Sequence, residues 1–458
     1  MPQLMTLDTG FLKAPVPEWH AGLAFGAVAV VNGTAPNSDQ LKALLAERLQ
    51  SIPRHAQVLR TDWRDHPEFD LAQHIQRVAL PRPGDEAELF QAIANALERP
   101  LDLDRPLWEC WIIEGLKSNR WAILLKLHHC MADGISAAHI LTRLCDDADH
   151  TSFANHVAVK QVSASQPERP SWTDAMWQAP AALGAAAAVT TNVVKAAARA
   201  VTWPAAWPSS SGPRITMRRY TTVHVSIADV DRACRKFGVS ANDVALAAIS
   251  EGFRTVLLQR GEQPRADSLP TLEPADSRLS AALPYLPVEH DDPIGRLRTV
   301  HRQLNPAPPG HQSRSAGLSE YLPFTLCARA LQALARLPQR GVVTLATDAP
   351  GPRHRLRLMG QRMDQVLPIP PTAPQLSTGV AVLSYGDELV FGITGAYDAA
   401  PEMVQLAAGI ERGMARLVAL SQDSVLLFRQ DARKRSSRPV AGTGHRRRPS
   451  AFPVRARR

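Results

Sequence analysis

Lys126–Ala138 reads KLHHCMADGISAA, and this stretch decides the fold because it joins an apolar strand to a helix. The run WAILLKL that leads into it, Trp121–Leu127, predicts the strand, and the apolar spacing of Ile135–Cys145 predicts the helix. Two adjacent histidines, His128 and His129, end the strand. Because side chains alternate along a strand, one imidazole is expected to face a cleft and the other the core.

The loop after the histidines carries Asp133, four residues beyond His129, and then Gly134. An aspartate before a helix can accept backbone N–H bonds as an N-cap, and glycine allows a close approach of backbone. A buried histidine and a capping aspartate would explain these residues without any chemistry. The complete pattern His-His-x-x-x-Asp-Gly, set between a strand and a helix, instead favours a catalytic loop.

Short apolar strands and amphipathic helices are predicted on both sides of this loop. Further strands are expected at Gly22–Val31, Glu109–Glu114, Thr221–Ile227, Leu283–Val288, Gly379–Leu383 and Glu388–Thr394. Further helices are expected at Asp39–Gln50, Glu86–Leu97, Val244–Gln259 and Met403–Leu420. The last two strands pair naturally as a hairpin across Ser384–Asp387, and the sequence contains no internal repeat of fixed period.

Composition excludes several classes of protein. Of 458 residues, 45% are apolar and 21% are charged, which excludes a wholly disordered chain, a collagen and a coiled-coil rod. The net charge of +9 arises in the tail from Arg429, where eleven Lys and Arg accompany one acid. The remaining 41 basic and 42 acidic residues nearly cancel, so no nucleic-acid partner is expected.

The cysteines, the N-terminal sequence and the longest apolar run indicate the cellular compartment in which the protein is expected. The five cysteines form no Cys-x-x-Cys pair, which predicts neither a disulfide framework nor a zinc site. The N-terminus has no basic segment followed by a long apolar one, and the Ala-rich run Pro180–Val194 is too short to span a bilayer. A cytoplasmic protein is therefore expected, with peripheral association at a membrane or lipid body left open.

Several motifs together resemble those of bacterial wax ester synthase/diacylglycerol acyltransferases, especially mycobacterial triacylglycerol synthases, in the coenzyme-A-dependent acyltransferase superfamily. The resemblance runs from about Leu7 to Leu420. Besides the His-His-x-x-x-Asp-Gly loop it rests on LDTGFL (Leu7–Leu12), Glu68-Phe69-Asp70 with His74, Pro106-Leu107-Trp108, Asn242-Asp243, LPYLPVEHDDPIGRLRTVH (Leu283–His301), LPQRGVV (Leu337–Val343) and Ala349-Pro350-Gly351-Pro352. As a set, these motifs are far more specific than the histidine motif alone.

The resemblance implies two α/β domains of the chloramphenicol acetyltransferase-like fold, with an active-site channel between them. An N-terminal acyltransferase domain would span residues 1–160 and contain the histidine motif. A crossover rich in Ala, Pro and Ser would follow over 161–213, and a C-terminal acyltransferase domain over 214–428. Residues 429–458 lack periodicity and are predicted to be a basic, disordered tail.

The reaction implied by the resemblance is transfer of a long-chain acyl group from acyl-CoA to a lipid hydroxyl. Diacylglycerol is the first expected acceptor and fatty alcohol the second. His129 would be the general base, a role that suits an imidazole that is largely neutral near pH 7. His128 would support the loop, and Asp133 would hold its shape. Acyl-CoA is a co-substrate here, and neither a cofactor nor a metal is implied.

Other motif residues have a structural as well as a substrate-binding interpretation. Gly134 belongs to the loop itself. Ser240-x-x-Asp243 reads as a helix capping box, which favours a structural role for Asn242 and Asp243. The run Pro106-Leu107-Trp108 is most simply a packed turn before a strand, and a binding role is the alternative.

Two alternatives to the interpretation as a diacylglycerol acyltransferase stay open. The loop after Leu272 is shorter than is usual in the family, and Ser277 stands where the family has Asn. A weakly active or non-catalytic lipid-binding relative is therefore conceivable. The other alternative is a transferase of the same fold that takes acyl groups from a carrier protein or delivers them to another acceptor.

Overall fold

The structure is a computed structural model of the chain, and it describes residues 24–49, 54–59, 63–128, 131, 137–147, 218–269, 271–272, 285–305, 343–348, 351–370 and 378–422. The strands in this part of the chain are β1 (Ala24–Asn32), β2 (Gln57–Leu59), β3 (Trp63–Asp65), β4 (Ile75–Ala79), β5 (Trp108–Leu116), β6 (Arg120–His128), β7 (Arg218–Ser226), β8 (Thr271–Leu272), β9 (Val343–Asp348), β10 (Arg357–Leu358), β11 (Gln361–Ile369), β12 (Thr378–Tyr385) and β13 (Glu388–Ala396). The helices are α1 (Ser38–Arg48), α2 (Glu86–Glu98), α3 (Ala137–Arg143), α4 (Ile227–Phe237), α5 (Ala241–Gln259), α6 (Pro293–Leu304) and α7 (Ala400–Gln422).

Six strands form the first sheet, in the order β10-β11-β1-β6-β5-β4. The neighbouring strands from β10 to β5 pair antiparallel, and β4 is parallel to β5. One face of β6 packs with α1 and α3, and the other face packs with α2. A strand covered on both faces needs apolar side chains at successive positions, which is why β6 is a continuous apolar run.

The second sheet has five strands in the order β7-β13-β12-β9-β8. Helices α4 to α7 cover one of its faces and share a single apolar core with it. Helices α5 and α7 approach closely where glycines meet. A Cβ added to Gly409 would lie 2.7 Å from the Cα of Gly252, so a larger side chain there would separate the helices.

The two sheets meet where β13 lies against β11. A Cβ on Gly392 would fall 1.8 Å from the carbonyl oxygen of Pro368, so only glycine allows this approach. The Tyr220 hydroxyl donates to the same carbonyl at 2.9 Å. Tyr220 and Val390 of the second sheet therefore belong to the core that α2 forms with the first sheet.

The predicted helices and all but one of the predicted strands are confirmed, with ends shifted by at most three residues. The strand predicted over Leu283–Val288 is wrong: of its described residues, only Tyr285 makes a strand bridge. Pro284 and Pro287 have no N–H to donate, and the Leu286 N–H instead reaches the carbonyl of Leu269 at 3.0 Å. The predicted crossover 161–213 and tail 429–458 lie outside the described residues, and the predicted domain boundaries stay predictions.

Among the helices of the described residues, none has the length and hydropathy that a membrane span requires.

Candidate active site

The strand that leads into the histidine motif ends in a fully buried residue. His128 is the last residue of β6, pairs with Ala24 of β1, and has no exposed surface. Its N–H donates to the carbonyl of Leu107 at 2.9 Å. By strand alternation its side chain shares the face of Leu124, which packs in the core with α2. His128 is therefore the histidine that points into the core.

The other loop residues of the motif lie outside the described residues: His129, Asp133 and Gly134. The described parts on either side are β6 and helix α3, with Met131 buried between them. The roles assigned to His129 and Asp133 therefore rest on the sequence, and they stay predictions.

The run Pro106-Leu107-Trp108 adjoins the histidine motif in space. The Trp108 N–H donates to the Pro106 carbonyl at 2.8 Å, and β5 begins at Trp108. Pro106, Leu107 and Trp108 are all buried, as expected of a packed turn. Trp108 pairs with Leu127, and the Leu107 carbonyl accepts the His128 N–H. The fold thus brings two motifs together at one end of the first sheet.

A buried imidazole supports this end of the sheet. The His74 ring stacks on Trp108, with centroids 4.5 Å apart, and His74 Nδ1 lies 2.8 Å from the Trp108 carbonyl oxygen. Burial lowers the pKa of His74, although the hydrogen bond to the Trp108 carbonyl opposes that shift. The Phe69 ring also contacts His74, at 5.4 Å between ring centroids. His74 is expected to be neutral near pH 7 and to orient Trp108.

A buried lysine also anchors β6, two residues before His128. Lys126 has no exposed surface, and its Nζ donates to the carbonyls of Ala96, at 2.9 Å, and Arg99 at the end of α2. The Glu109 carboxylate lies 3.6 Å away. Burial lowers the pKa of Lys126, and Glu109 opposes the shift. The lysine ties α2 to the motif strand, a role that the sequence analysis missed although a lone charge in an apolar strand is a signal.

The far end of the motif helix is held by the second half of the chain. After α3, Asp146 accepts hydrogen bonds from Arg48 at 2.7 Å and from the Gly360 N–H at 2.6 Å. Asp147 accepts the Arg357 N–H at 2.8 Å. Partial burial alone would raise the pKa of Asp146, but the Gly360 N–H and the Arg48 guanidinium outweigh it and lower the pKa. The β10–β11 hairpin therefore fixes α3 as well as extending the sheet.

The Asn242-Asp243 motif lies at the start of α5, in the core of the second sheet. The predicted capping box is confirmed: Asp243 Oδ2 accepts the Ser240 N–H at 2.9 Å, and the Ser240 hydroxyl accepts the Asp243 N–H at 3.1 Å. The same carboxylate oxygen lies 2.8 Å from His301 Nδ1, a partner that the sequence analysis missed. Asn242 Oδ1 is buried and has no hydrogen-bond partner within the described residues. Asp243 therefore caps α5 and contacts His301, and the roles predicted for Asn242 and Asp243 stay predictions.

Family models match most of the chain. A wax ester synthase/diacylglycerol acyltransferase catalytic domain matches residues 4–245, and the C-terminal domain of the same family matches residues 277–417. A Mycobacterium tuberculosis (strain ATCC 25618 / H37Rv) protein named putative diacylglycerol O-acyltransferase is 65% identical over 457 residues, with both chains wholly covered. Another protein of that strain, named probable diacylglycerol O-acyltransferase, is 46% identical and covers 94% of this chain and 99% of its own length.

Solved structures share the fold. The wax ester synthase/diacylglycerol acyltransferase of Marinobacter aquaeolei VT8 matches with a TM-score of 0.58 at 20% identity, over 91% of this chain and 98% of that one. The first condensation domain of the calcium-dependent antibiotic synthetase matches with a TM-score of 0.53 at 14% identity, over 90% and 96%. The α/β fold of the coenzyme-A-dependent acyltransferase type is thereby confirmed.

Proposed function

Because the chain belongs to the wax ester synthase/diacylglycerol acyltransferase family, we propose that it transfers a long-chain acyl group from acyl-CoA to a lipid hydroxyl. Diacylglycerol is the acceptor we propose, with triacylglycerol as the product; a fatty alcohol, giving a wax ester, is the second candidate. The observation that carries the proposal is the relative that is 65% identical over the full length of both chains.

In the proposed reaction, the lipid hydroxyl oxygen attacks the thioester carbonyl carbon while His129 takes the hydroxyl proton. The carbon–sulfur bond then breaks, and the departing thiolate receives that proton to give free coenzyme A. Atoms and charges balance with the thioester as the only activated reactant, so we propose neither a metal nor a bound cofactor. No serine nucleophile is required, because the acceptor attacks directly.

The surroundings of the loop support different roles for the two histidines, with His128 as a structural support and His129 as the base. His128 is fully buried and bonded through its N–H to Leu107, which suits a supporting role at the base of the loop. Near His128, Lys126 ties the end of β6 to α2, and Trp108, at the start of β5, pairs with Leu127 of β6. A rigid strand end is the kind of support that a positioned general base needs. We propose that Asp133 and Gly134 shape the loop in which His129 acts.

Replacing the proposed base tests the assignment. His129→Ala should lower turnover of labelled palmitoyl-CoA with diacylglycerol by about 10²–10⁴-fold, because it removes the proton acceptor. Thermal unfolding should change little. His128→Ala should lower both turnover and the melting temperature, because it leaves a cavity in the core. The matched control is His354→Ala, an exposed histidine. Equal turnover for His129→Ala and the parent chain would refute the base assignment.

The acceptor and donor are tested with the same purified protein. Labelled palmitoyl-CoA is offered with diacylglycerol, with a fatty alcohol and with both, and the products are separated by lipid class. An acyl-carrier protein with the same acyl group is the rival donor. Likeness to condensation domains at 14% identity concerns the fold alone, so the donor is decided by this measurement. Lipid binding without turnover would favour the non-catalytic alternative.

We propose that the basic tail, residues 429–458, draws the protein to anionic lipid surfaces. Most of its basic residues lie in the groups Arg433–Arg435, Arg446–Arg448 and Arg455–Arg458. Each Lys or Arg near lipid headgroups contributes on the order of 1 kcal/mol, within a Debye length of the surface. The proposed lipid substrates are insoluble in water, so residence at their surface would raise their local concentration. Phe452 is the tail's one aromatic residue, which makes base stacking on nucleic acid the weaker reading.

Truncation after Leu427 should weaken sedimentation with anionic liposomes, and added salt should weaken it for the intact chain, because salt screens the attraction. Turnover on dispersed substrate should persist. If the intact and truncated proteins sediment equally at low salt, the tail is not the lipid contact.

A further inference from the structure

Three side chains form a relay on the second sheet, on its outer strand β7 and the neighbouring strand β13. The hydroxyl oxygen of Thr222 lies 3.1 Å from His224 Nε2, and His224 Nδ1 lies 2.9 Å from Glu388 Oε2. Hydroxyl, imidazole and carboxylate thus stand in the order in which a nucleophile, its base and an orienting group are arranged in hydrolases.

The strand register explains why these residues meet. Thr222 and His224 are two residues apart on β7, so their side chains share one face. In the pairing of β7 with β13, Ser226 lies opposite Glu388 and His224 opposite Val390. Glu388 is therefore the diagonal neighbour of His224 on the same face, within reach of a long side chain.

The two contacts fix the protonation of a neutral imidazole. An ionised carboxylate only accepts hydrogen bonds, so Nδ1 of His224 must carry the proton that it shares with Glu388. Nε2 then has a lone pair, and the Thr222 hydroxyl donates to it. This is the state in which an imidazole can take the proton of an attacking hydroxyl.

Backbone direction adds a donor beside Thr222. β7 is the outer strand of the second sheet, and the Arg218 N–H points away from β13 to the Glu98 carboxylate at 2.8 Å. Alternation along β7 gives the Thr222 N–H the same outward direction. An amide N–H of this kind can stabilise the oxyanion formed on an attacked carbonyl. The His224 side chain is 25% exposed and that of Glu388 is 41% exposed, so a small ester can reach them.

We propose that Thr222 is an activated nucleophile that hydrolyses small activated esters, with His224 as its base and Glu388 as the group that orients His224. The Thr222 oxygen attacks the ester carbonyl while its proton moves to His224 Nε2. The alcohol leaves with that proton, and an acyl-Thr222 ester remains. Water, deprotonated by His224, then attacks the acyl carbon, the bond from that carbon to the Thr222 oxygen breaks, and His224 returns the proton to that oxygen as the carboxylic acid leaves. This chemistry is independent of the acyl transfer proposed at His129.

The test uses the full chain with two probes, p-nitrophenyl acetate and a small dialkyl fluorophosphonate. The parent should release p-nitrophenol with a burst, and mass spectrometry should find the acetyl and phosphonyl groups on Thr222. Thr222→Ala should abolish both adducts, and Thr222→Ser should keep them. Glu388→Gln should slow labelling by about 10²-fold or more, because the amide lacks the charge that stabilises a protonated His224 and its NH₂ group can hold the other tautomer. Thr221→Ala, on the opposite face of β7, is the matched control and should label like the parent.

The result that overturns the proposal is an adduct that persists in Thr222→Ala, or hydrolysis of p-nitrophenyl acetate with no acyl group on Thr222. His129→Ala should label at the parental rate, and Thr222→Ala should still convert palmitoyl-CoA and diacylglycerol. Failure of the relay and failure of the proposed acyl transfer are therefore distinguished by separate variants. Melting temperatures of all variants, measured in parallel, exclude unfolding as the cause of a lost adduct.

Discussion

The first sheet and the second hold their buried cations in different ways. In the first, Lys126 donates to the backbone carbonyls of Ala96 and Arg99 at the end of a helix. Those carbonyls carry the negative end of the helix dipole, which is a partial charge. The nearest carboxylate, of Glu109, stands 3.6 Å away. In the first sheet, therefore, backbone carbonyl groups are the main partners of the buried Lys126 ammonium group.

In the second sheet's core, side chains neutralise one another. Arg296 is 1% exposed and forms an ion pair with Glu251, which is itself buried. Glu251 also bonds Arg416 at 3.1 Å, and Arg296 donates to the His290 carbonyl at 2.6 Å. Burial lowers the pKa of Arg296, and the Glu251 carboxylate opposes the shift.

This difference indicates which single substitutions should most reduce the free energy of unfolding. A backbone carbonyl cannot be removed by a substitution, whereas the carboxylate of Glu251 can. Removing one partner of a buried ion pair leaves an uncompensated charge, which costs more than the pair contributes.

Glu251→Gln should have the largest effect, a loss of about 3–5 kcal/mol in the free energy of unfolding. The amide keeps the shape of the side chain but leaves the Arg296 guanidinium without a counter-charge. Urea denaturation followed by circular dichroism measures the loss. Glu411→Gln, on the exposed face of α7, is the matched control and should leave the midpoint unchanged. Equal midpoints for the two variants would mean that Arg296 is stabilised by other groups.

Lys126→Met should cost less, about 1–3 kcal/mol at neutral pH, because the carbonyls of Ala96 and Arg99 lose their donor. The loss should also depend on pH. Burial lowers the pKa of Lys126 in the folded chain, so the unfolded chain binds this proton more tightly. Stability from this residue therefore rises as pH increases through the lowered folded value toward the ordinary lysine value of about 10.4.

The measurement is the difference in unfolding free energy between the parent and Lys126→Met, taken at neutral pH and again near pH 10. This difference in unfolding free energy should grow, in favour of the parent, as pH rises. A difference that stays constant with pH would show that burial does not disturb the proton affinity of Lys126.

His74 gives the smallest expected effect. Burial lowers its pKa, so below the ordinary value of about 6.5 the unfolded chain binds a proton that the folded chain does not. Stability from His74 is therefore lost as pH falls through 6.5 toward the lowered folded value, by at most about 1.4 kcal/mol per pH unit. His74→Gln should flatten this part of the acid-side slope in thermal unfolding. His354→Gln, an exposed site, should leave the slope as in the parent.

Several elements were not predictable from local pattern alone. Strand β11 begins with a mostly polar run, QRMDQ, and becomes a strand because β1, from the other end of the chain, offers it an antiparallel partner. Helix α6 carried local signals that were overlooked, with Asp292 as its N-cap and Pro293 at its first position. Helix α4 begins at Ile227, and its N-cap residue Ser226 makes no side-chain cap bond, so the start of the helix is poorly marked in the sequence.

The sequence by itself determined the strand–loop–helix around His128 and His129, the capping box at Ser240, and the family. Each is a local pattern, in which the spacing of neighbouring residues fixes the structure. Only the tertiary structure decided that Lys126 is buried on the end of α2, that Glu251 neutralises Arg296, and that Glu388 completes a relay with His224. These depend on which distant segments pack together, because partners far apart in the chain meet only when a sheet register or a helix crossing places them there.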